Sequence, residues 1–286
     1  MRSRRTVASL ALAGLLVASG EAFSPQLALA QLADDNSIEL VDPKVLRVCA
    51  DPRNLPFSNE AGEGFENKLA ELFAQKLGKT LAYSYYPGST GFVRNTLNAH
   101  RCDVVMGMPQ GDDVVQGTNP YYRTAYALVA KRGSGLETVA ELSDPRLKDK
   151  RLGIVAGTPP ATNLAINALL PNIKSYPLVI DTRYDAPTQA MITDLEQDRI
   201  DVAILWGPIA GYFAKRSSTP MQVTPLVKES VGPRLIYRIG MGVRHSDQDW
   251  KRSLNKLIAE NQDEIERILT GYGVPLLDED NAPKSH

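Results

Sequence analysis

LNAHRCDVV at residues 97–105 is matched by LEQDRIDVA at residues 195–203. Both stretches fit the frame L-x-x-x-R-x-D-V, in which a helix ends, the chain turns and an apolar strand begins. Such a joint also arises by chance in α/β proteins. The frame therefore indicates a repeat only together with the elements that surround each copy.

Those elements follow the same order in both halves of the chain. Short apolar runs predict buried strands, and apolar residues at helical spacing predict helices between them. The first half has strands at 46–50, 81–86 and 102–108 with helices at 65–77 and 91–100; the second has strands at 152–157, 175–180 and 201–206 with helices at 159–170 and 186–198. Helical crossovers of this length predict parallel strand pairing in each half.

Two further strands are predicted to connect the halves. Residues 124–132 read as a strand that leaves the first half, and residues 236–244 as a strand that returns to it. A long helix over 247–269 carries its apolar residues mostly on one face and is expected to pack on the first half. The acidic run at 278–280 is interpreted as a solvated tail. The fold class predicted is α/β, a two-lobed clamshell with two crossing segments.

The predicted boundaries follow from these elements. Lobe 1 comprises residues 31–132 and 232–286, and lobe 2 comprises residues 133–231. Residues 1–30 are predicted to be a signal peptide, with a basic start, an apolar run and small residues at Ala28 and Ala30. The apolar run is shorter than the roughly 20 residues that span a membrane. An N-terminal amphipathic helix is the alternative.

Cleavage after Ala30 predicts export, and the bacterial periplasm is the expected location. It would leave 29 basic and 32 acidic residues, a formal net charge of −3. In an oxidising compartment Cys49 and Cys102 are expected to form a disulfide, since they are the chain's two cysteines. Two buried free thiols are the alternative.

The composition excludes several classes of function. A net charge of −1 over the full chain lacks the basic excess that nucleic-acid binding needs. No C-x-x-C, H-E-x-x-H, G-x-S-x-G, Walker A or strand-linked G-x-G-x-x-G occurs in the mature chain. His100, His245 and His286 lie far apart in sequence. A binding protein is therefore favoured over an enzyme, and no metal or cofactor is expected; the Asp112–Asp113 pair is interpreted as solvated.

Ligand sites in open α/β sheets lie beyond the carboxyl ends of the strands. We expect Thr158 to offer backbone N–H groups to an anion. Phe57 and Trp206 would form apolar walls, or alternatively plain core and inter-lobe contacts. The cleft candidates at these strand ends are Asp51, Asn54, Phe57, Met108, Gln110, Thr158 and Trp206.

Several of these stretches carry a family resemblance. They are RVCADPRNLPFSN (47–59), GFENKLAELFAQKLG (64–78), GFVRNTL (91–97), CDVVMGMPQGDD (102–113), TNPYYRTAYALV (118–129) and DVAILWGPIAGYFAK (201–215). The chain resembles the type II periplasmic solute-binding proteins of family 3, and more closely the methanol-oxidation-system J proteins of the MxaJ/XoxJ type. That resemblance implies a periplasmic, non-catalytic accessory of a PQQ-dependent methanol dehydrogenase, of the calcium or the lanthanide type. The c-type cytochrome of that enzyme is a further candidate partner.

The chain departs from family members that bind amino acids. Those proteins hold the ligand carboxylate with an arginine after the third strand, where residues 108–113 here read MPQGDD. They hold the ammonium with an acid whose position falls here near Trp206. Amino-acid binding is therefore not expected, and the alternative function is a transport receptor for another small solute. The side chains expected to contact a partner protein are Tyr121, Tyr122, Trp206 and Tyr212.

Overall fold

The structure is a computed structural model that describes residues 39–178 and 187–284. The predicted signal peptide and the end of the strand predicted at 175–180 lie outside the described residues. From Glu39 onward the chain forms one compact unit.

The described residues form twelve strands and seven α-helices. The strands are β1 (Val45–Ala50), β2 (Arg53–Asn54), β3 (Ser58–Asn59), β4 (Thr80–Tyr85), β5 (Val104–Pro109), β6 (Gln116–Gly117), β7 (Tyr122–Lys131), β8 (Leu152–Val155), β9 (Ile173–Tyr176), β10 (Val202–Trp206), β11 (Met221–Pro225) and β12 (Ile236–Val243). The helices are α1 (Phe65–Leu77), α2 (Phe92–Asn95), α3 (Pro160–Ile166), α4 (Pro187–Glu196), α5 (Gly207–Arg216), α6 (Gln248–Glu260) and α7 (Gln262–Gly271).

The main sheet runs in the order β4-β1-β5-β12-β7-β10-β8-β9. Its first three strands are parallel to one another, as are its last three. The long strand β7 joins the two parts, because residues 122–125 pair with β12 and residues 126–130 pair with β10. The α/β fold with two parallel βαβ lobes and two crossing strands is thus confirmed. The exact lobe boundaries stay a prediction.

Each lobe has its own apolar core. In lobe 1, α1 and the C-terminal helices cover the sheet with fully buried side chains such as Phe65, Leu69 and Ile265. In lobe 2, one face of the sheet is covered around Leu152 and the other around Met191. β7 and β12 link the two lobes covalently. The lobes also contact each other, since the Tyr212 ring of lobe 2 stacks on that of Tyr272 of lobe 1, with 6.2 Å between ring centres.

The repeated frame is a structural joint. The N–H of Asp103 donates to the carbonyl of Arg47 at 2.7 Å, and the Asp103 carboxylate pairs with the Arg47 guanidinium at 2.7 Å. In lobe 2, Asp201 does the same with Arg151, at 2.8 Å and 2.6 Å. In both lobes the aspartate therefore fastens the start of one strand to the start of its neighbour in the sheet.

The lobe 1 joint is buried and extends to the C-terminal helices. Asp103 also binds Arg244 at 2.8 Å, and Arg244 binds Asp247 at 2.7 Å. The indole N–H of Trp250 donates to the Asp103 carbonyl at 3.0 Å. This network fixes the beginning of α6 against β5.

Cys49 and Cys102 form the predicted disulfide, with their Cα atoms 5.4 Å apart. Cys49 lies on β1 beside Val105 of β5, so the bond joins β1 to the residue that precedes β5 by two positions. Both cysteines are buried. The alternative of two free thiols is therefore wrong.

The C-terminal helix differs from its prediction. The single helix expected over 247–269 is two helices, α6 and α7, which meet at Asn261 with φ −126° and ψ 23°. The Asn261 amide donates to the carbonyl of Leu257 at 2.7 Å. Asparagine side chains compete in this way with the helical backbone pattern, and the helix breaks there.

Two other predicted helices are shorter than expected. The helix predicted over 91–100 is the four-residue α2, because the Thr96 hydroxyl donates to the carbonyl of Phe92 at 2.6 Å and the chain then turns. The helix predicted over 159–170 ends at Ile166, and Ala168 adopts a left-handed backbone conformation with φ 57°.

The acidic run at 278–280 is a turn and not a free tail. The Asp278 carboxylate accepts the N–H groups of Asp280 at 2.9 Å and Ala282 at 2.8 Å. The N–H of Leu277 donates to the carbonyl of Arg123 at 2.9 Å, and Leu277 is buried. Side-chain capping and this contact with β7 hold the segment against the sheet, although Glu279 and Asp280 are exposed.

Candidate functional site

A cavity of about 310 Å³ lies beyond the carboxyl ends of β1 and β5. That is the edge where the sheet topology predicts a ligand site. Side chains from both lobes and from both crossing strands reach it. Its lining includes Asp51, Asn54, Phe57, Glu66, Met108, Tyr122, Trp206 and Ile239.

Asp51 is held rigidly at the end of β1. One carboxylate oxygen accepts the N–H of Arg53 at 2.8 Å, and the other accepts the N–H of Gly88. The backbone at Asp51 exchanges hydrogen bonds with the Ser58 hydroxyl at 2.8 Å and 3.2 Å. A Cβ at position 88 would lie only 2.8 Å from the Asp51 carboxylate, so glycine is required for this contact. Asp51 therefore presents a fixed acceptor to the cavity.

Glu66 is a second carboxyl group in the cavity, and sequence reasoning missed it. It lies in the first turn of α1, and a Cβ at Gly107 would overlap its carboxyl oxygen. Burial raises the pKa of Glu66 to about 8, and the nearby Asp51 charge adds to that rise. At neutral pH Glu66 is therefore mostly a neutral acid that can both donate and accept. One feature of the sequence could have indicated Glu66. It is an acidic residue two positions after Gly64, which precedes α1, and this end of α1 faces the carboxyl ends of the strands.

The cavity walls are aromatic. The Phe57 ring lies 5.2 Å from Phe65, measured between ring centres. Trp206 packs at 5.1 Å against Tyr126 and at 5.5 Å against Tyr237. Phe57 and Trp206 thus line the cavity and also contact the core. From the sequence they were interpreted either as apolar walls of the cleft or as plain core contacts, and in the structure each is both.

Five of the seven predicted cleft residues line this cavity, namely Asp51, Asn54, Phe57, Met108 and Trp206. The other two do not. Gln110 lines a different cavity, and its side-chain amide donates to the carbonyl of Thr118 at 3.1 Å. The Thr158 hydroxyl donates to the carbonyl of Val155 at 2.7 Å, which closes a local turn. Gln110 and Thr158 lie at or after the ends of strands in the sequence, as the other five candidates do. Sequence position therefore could not show that these two side chains lie outside the cavity.

Comparisons with known proteins agree with this architecture. The family model of the bacterial extracellular solute-binding proteins, family 3, matches residues 46–274. Protein MoxJ of Methylorubrum extorquens is 30% identical in an alignment of 297 positions that covers 96% of this chain and 96% of that chain. The crystal structure of the periplasmic binding protein XoxJ from Methylobacterium extorquens AM1 is 45% identical, with a TM-score of 0.70 over 82% of this chain and 100% of that chain.

The chain belongs to the family-3 solute-binding proteins and is of the MxaJ/XoxJ type. A further solved structure, MxaJ from Methlophaga aminisulfidivorans MPT, is 27% identical with a TM-score of 0.70, over 81% of this chain and 100% of that chain. The resemblance stated from the sequence motifs is thereby confirmed.

In this family-3 protein, none of the described residues that line the 310 Å³ cavity is Arg, Lys or His. A neighbouring cavity of about 400 Å³ between the lobes does contain Arg53 and Arg216. A ligand carboxylate buried in the 310 Å³ cavity would still lack a charged partner, and such a hydrogen bond contributes roughly 1.5–3 kcal/mol. The departure from amino-acid binders inferred from residues 108–113 thus extends to the whole cavity lining.

The tyrosines expected to contact a partner are buried in this family-3 protein. Tyr121 and Tyr122 are 1% and 6% exposed, and Tyr212 is 7% exposed. The Tyr121 hydroxyl donates to the Met106 carbonyl at 2.9 Å, and burial raises the pKa of both Tyr121 and Tyr122 well above the usual range of a tyrosine. As a correction, these side chains serve the core, since period-2 alternation cannot tell which strand face is covered.

The described residues of this family-3 protein include neither a metal-binding cluster nor a membrane-spanning helix. No group of three or more His, Cys, Asp or Glu side chains within them is placed to hold a metal ion. Asp112, considered from the sequence, accepts the N–H of Val114 at 3.0 Å. Within the same described ranges, every helix is too short or too polar to cross a membrane.

Proposed function

We propose that this protein is a periplasmic, non-catalytic accessory of a PQQ-dependent methanol dehydrogenase that assists activation or maturation of the enzyme. Similarity to MoxJ, MxaJ and XoxJ along most of the chain supports this role. The basic, apolar and small-residue pattern of residues 1–30 supports export.

The observation that carries the proposal is that no described residue lining the 310 Å³ cavity carries a basic group. A two-lobed receptor for amino acids needs a cation to compensate the ligand carboxylate, because an unpaired buried charge is costly. This chain retains the two lobes, and the described lining of that cavity has no such cation. The architecture then supports contact with a protein better than capture of an amino acid.

Lobe 2 offers an apolar surface for that contact. Ile166 and Val231 are 49% and 61% exposed. They adjoin each other, because the Asn163 amide donates to the Val231 carbonyl at 2.9 Å and a Cβ at Gly232 would lie 3.0 Å from Ile166. Exposed apolar groups that adjoin one another favour association. We expect the dehydrogenase to contact this Ile166–Val231 patch.

The test is binding of the mature protein to purified PQQ-dependent methanol dehydrogenase of the same organism, measured by biolayer interferometry. We expect transient, micromolar binding that Val231→Ser weakens several-fold. Leu40→Ser is the matched control, since Leu40 is 57% exposed and lies in lobe 1. Gene deletion should lower dehydrogenase activity in cells. Absence of binding together with unchanged activity would contradict the accessory role.

A receptor for a small amine or uncharged solute is the second candidate. Asp51 and Glu66 favour it, because both carboxyl groups line a cavity of about 310 Å³ with aromatic walls. Such a ligand should raise the unfolding temperature of the wild-type protein and leave that of Glu66→Gln less affected. A ligand with micromolar affinity, together with loss of uptake on gene deletion, would establish this function over the accessory role.

A further inference from the structure

Strands β7 and β12 present different chemistry on their two faces. Tyr122 on β7 and its partner Ile239 on β12 line the cleft cavity. The next pair along the ladder is Arg123 with Arg238. Successive side chains of a strand point to opposite faces, so both arginines leave the sheet on the face away from the cleft cavity.

A second cavity, of about 430 Å³, lies on that face. Gln110, which follows the end of β5, is one of the residues that line this second cavity. The residues that line it are Gln110, Arg123, Arg234, Ile236, Arg238, Glu279 and Asn281. Three of the seven side chains are thus guanidinium groups, whereas the cleft cavity has none.

The arrangement of Arg123 opposite Arg238 is unfavourable in the absence of an anion. Like charges directly opposite each other on antiparallel strands repel. Within the described residues, no carboxylate lies within 4.0 Å of Arg123, Arg234 or Arg238. Arg123 donates to neutral oxygens, namely the Glu279 carbonyl and the Asn281 side chain at 2.8 Å. In the described residues the three guanidinium groups therefore have no close ion pair, although Glu279 lines the same cavity and Arg234 lies 5.3 Å from the Tyr237 ring centre.

We propose that this arginine cavity binds a small polycarboxylate, a ligand that carries two or three separate carboxylate groups. Guanidinium groups match carboxylates with two parallel hydrogen bonds. Arg238 lies on β12 and Arg234 two residues before that strand, so their side chains leave backbone positions four residues apart. Spaced cations of this kind suit a molecule with spaced anionic groups better than one compact anion.

The turn at 278–281 closes one side of the cavity. Glu279 and Asn281 line it, and the contacts of Arg123 with this turn hold the turn over the crossing strands. The Arg238 side chain forms no hydrogen bond or ion pair within the described part of the chain, and it is exposed. Arg238 is therefore the guanidinium most available to a ligand, and its replacement removes no contact of the fold. This inference does not depend on the accessory role proposed above.

Isothermal calorimetry of the mature protein with citrate tests the proposal, at an ionic strength held constant with sodium chloride. We expect saturable binding of citrate, at least tenfold weaker binding of acetate and of inorganic phosphate, and at least a tenfold loss of citrate affinity in Arg238→Gln. Arg101→Gln is the matched control, because Arg101 is exposed, lacks side-chain partners in the described residues and precedes the opposite end of β5. This control should bind citrate as the wild type does.

Arg238→Glu separates a binding role from a structural one. It places an opposite charge beside Arg123, so we expect a higher unfolding temperature than in the wild type and no detectable citrate binding. Equal citrate affinity in Arg238→Gln and Arg101→Gln would overturn the proposal. Phosphate binding as tight as citrate binding would overturn it too, since the site would then recognise any oxyanion.

Discussion

At the scale of single residues, Asp103 and Asp201 occupy equivalent positions in the two lobes but different environments. Asp103 is 1% exposed and binds two guanidinium groups, those of Arg47 and Arg244. The Asp201 side chain is 26% exposed and binds Arg151 alone. Buried and exposed ion pairs respond very differently to the loss of one partner.

We therefore predict that Asp103→Asn lowers the free energy of unfolding by roughly 3–5 kcal/mol, because it removes the buried carboxylate that two guanidinium groups share. Asp201→Asn is the matched control and should cost less than about 1 kcal/mol. Urea denaturation followed by circular dichroism measures both. Equal losses in the two variants would show that burial does not distinguish the two joints.

Glu66 makes the stability of the protein depend on pH. The pKa of Glu66 is about 8 in the folded protein, because of burial and then the Asp51 charge, and its ordinary value is 4.5. Between these values the folded state holds a proton that the unfolded state has released. The contribution of Glu66 is thus fully present below pH 4.5 and is lost as the pH rises toward 8.

We predict that Glu66→Gln becomes progressively more stable than the wild type as the pH rises from about 5 to about 8. The measurement is the difference in unfolding free energy between the two proteins across that range. Glu71→Gln is the control, since Glu71 lies on the same helix with an exposed side chain. A constant difference between Glu66→Gln and the wild type would show that Glu66 does not keep its proton in the folded protein.

At the scale of elements, the disulfide joins β1 to the start of β5, 53 residues apart. A cross-link over a loop of this length stabilises a domain by about 2–4 kcal/mol, because it restricts the conformations of the unfolded chain. We predict a loss of that size in the double variant Cys49→Ala, Cys102→Ala, measured by urea denaturation. Reduced wild type should lose a similar amount, and thiol titration of the unreduced, denatured protein should find no free thiol.

The helices show which local sequence signals are sufficient to locate the end of a helix. Gly78 ends α1 in the left-handed conformation, with φ 63°, which glycine adopts readily after the last residue of a helix. The break at Asn261 has no comparable signal, because the apolar face continues from α6 into α7. Periodicity reports which residues face the core, and a short interruption of the helix leaves that pattern nearly unchanged.

At the scale of the whole molecule, the composition of the cleft decides what it accepts. The described lining of the 310 Å³ cavity contains two carboxyl groups and no base, so a free amino acid would place its carboxylate beside acids without a counter-charge. We predict that none of the twenty standard amino acids binds with micromolar affinity, about −8 kcal/mol. Calorimetry of the mature protein against the full panel checks this. Micromolar binding of any of them would show that backbone N–H groups replace the missing cation.

The sequence by itself determined the order of strands and helices, the repeat and the family. These properties depend on apolar periodicity, on turn residues and on sequence motifs, all of which lie within short continuous stretches of the chain. The pairing of Cys49 with Cys102 was expected from the two cysteines of the sequence, and the structure decided it against two free thiols.

Only the tertiary structure decided which side chains share a cavity. Glu66 faces the cleft because Gly107, on another element, leaves room for it. Gln110 and Arg238 meet on the opposite face because of the register between β5, β12 and β7. Tyr212 is buried and stacks on Tyr272, which is distant in sequence. Strand register and helix packing join residues far apart in the chain, and no local pattern records which face of a strand or helix another element will cover.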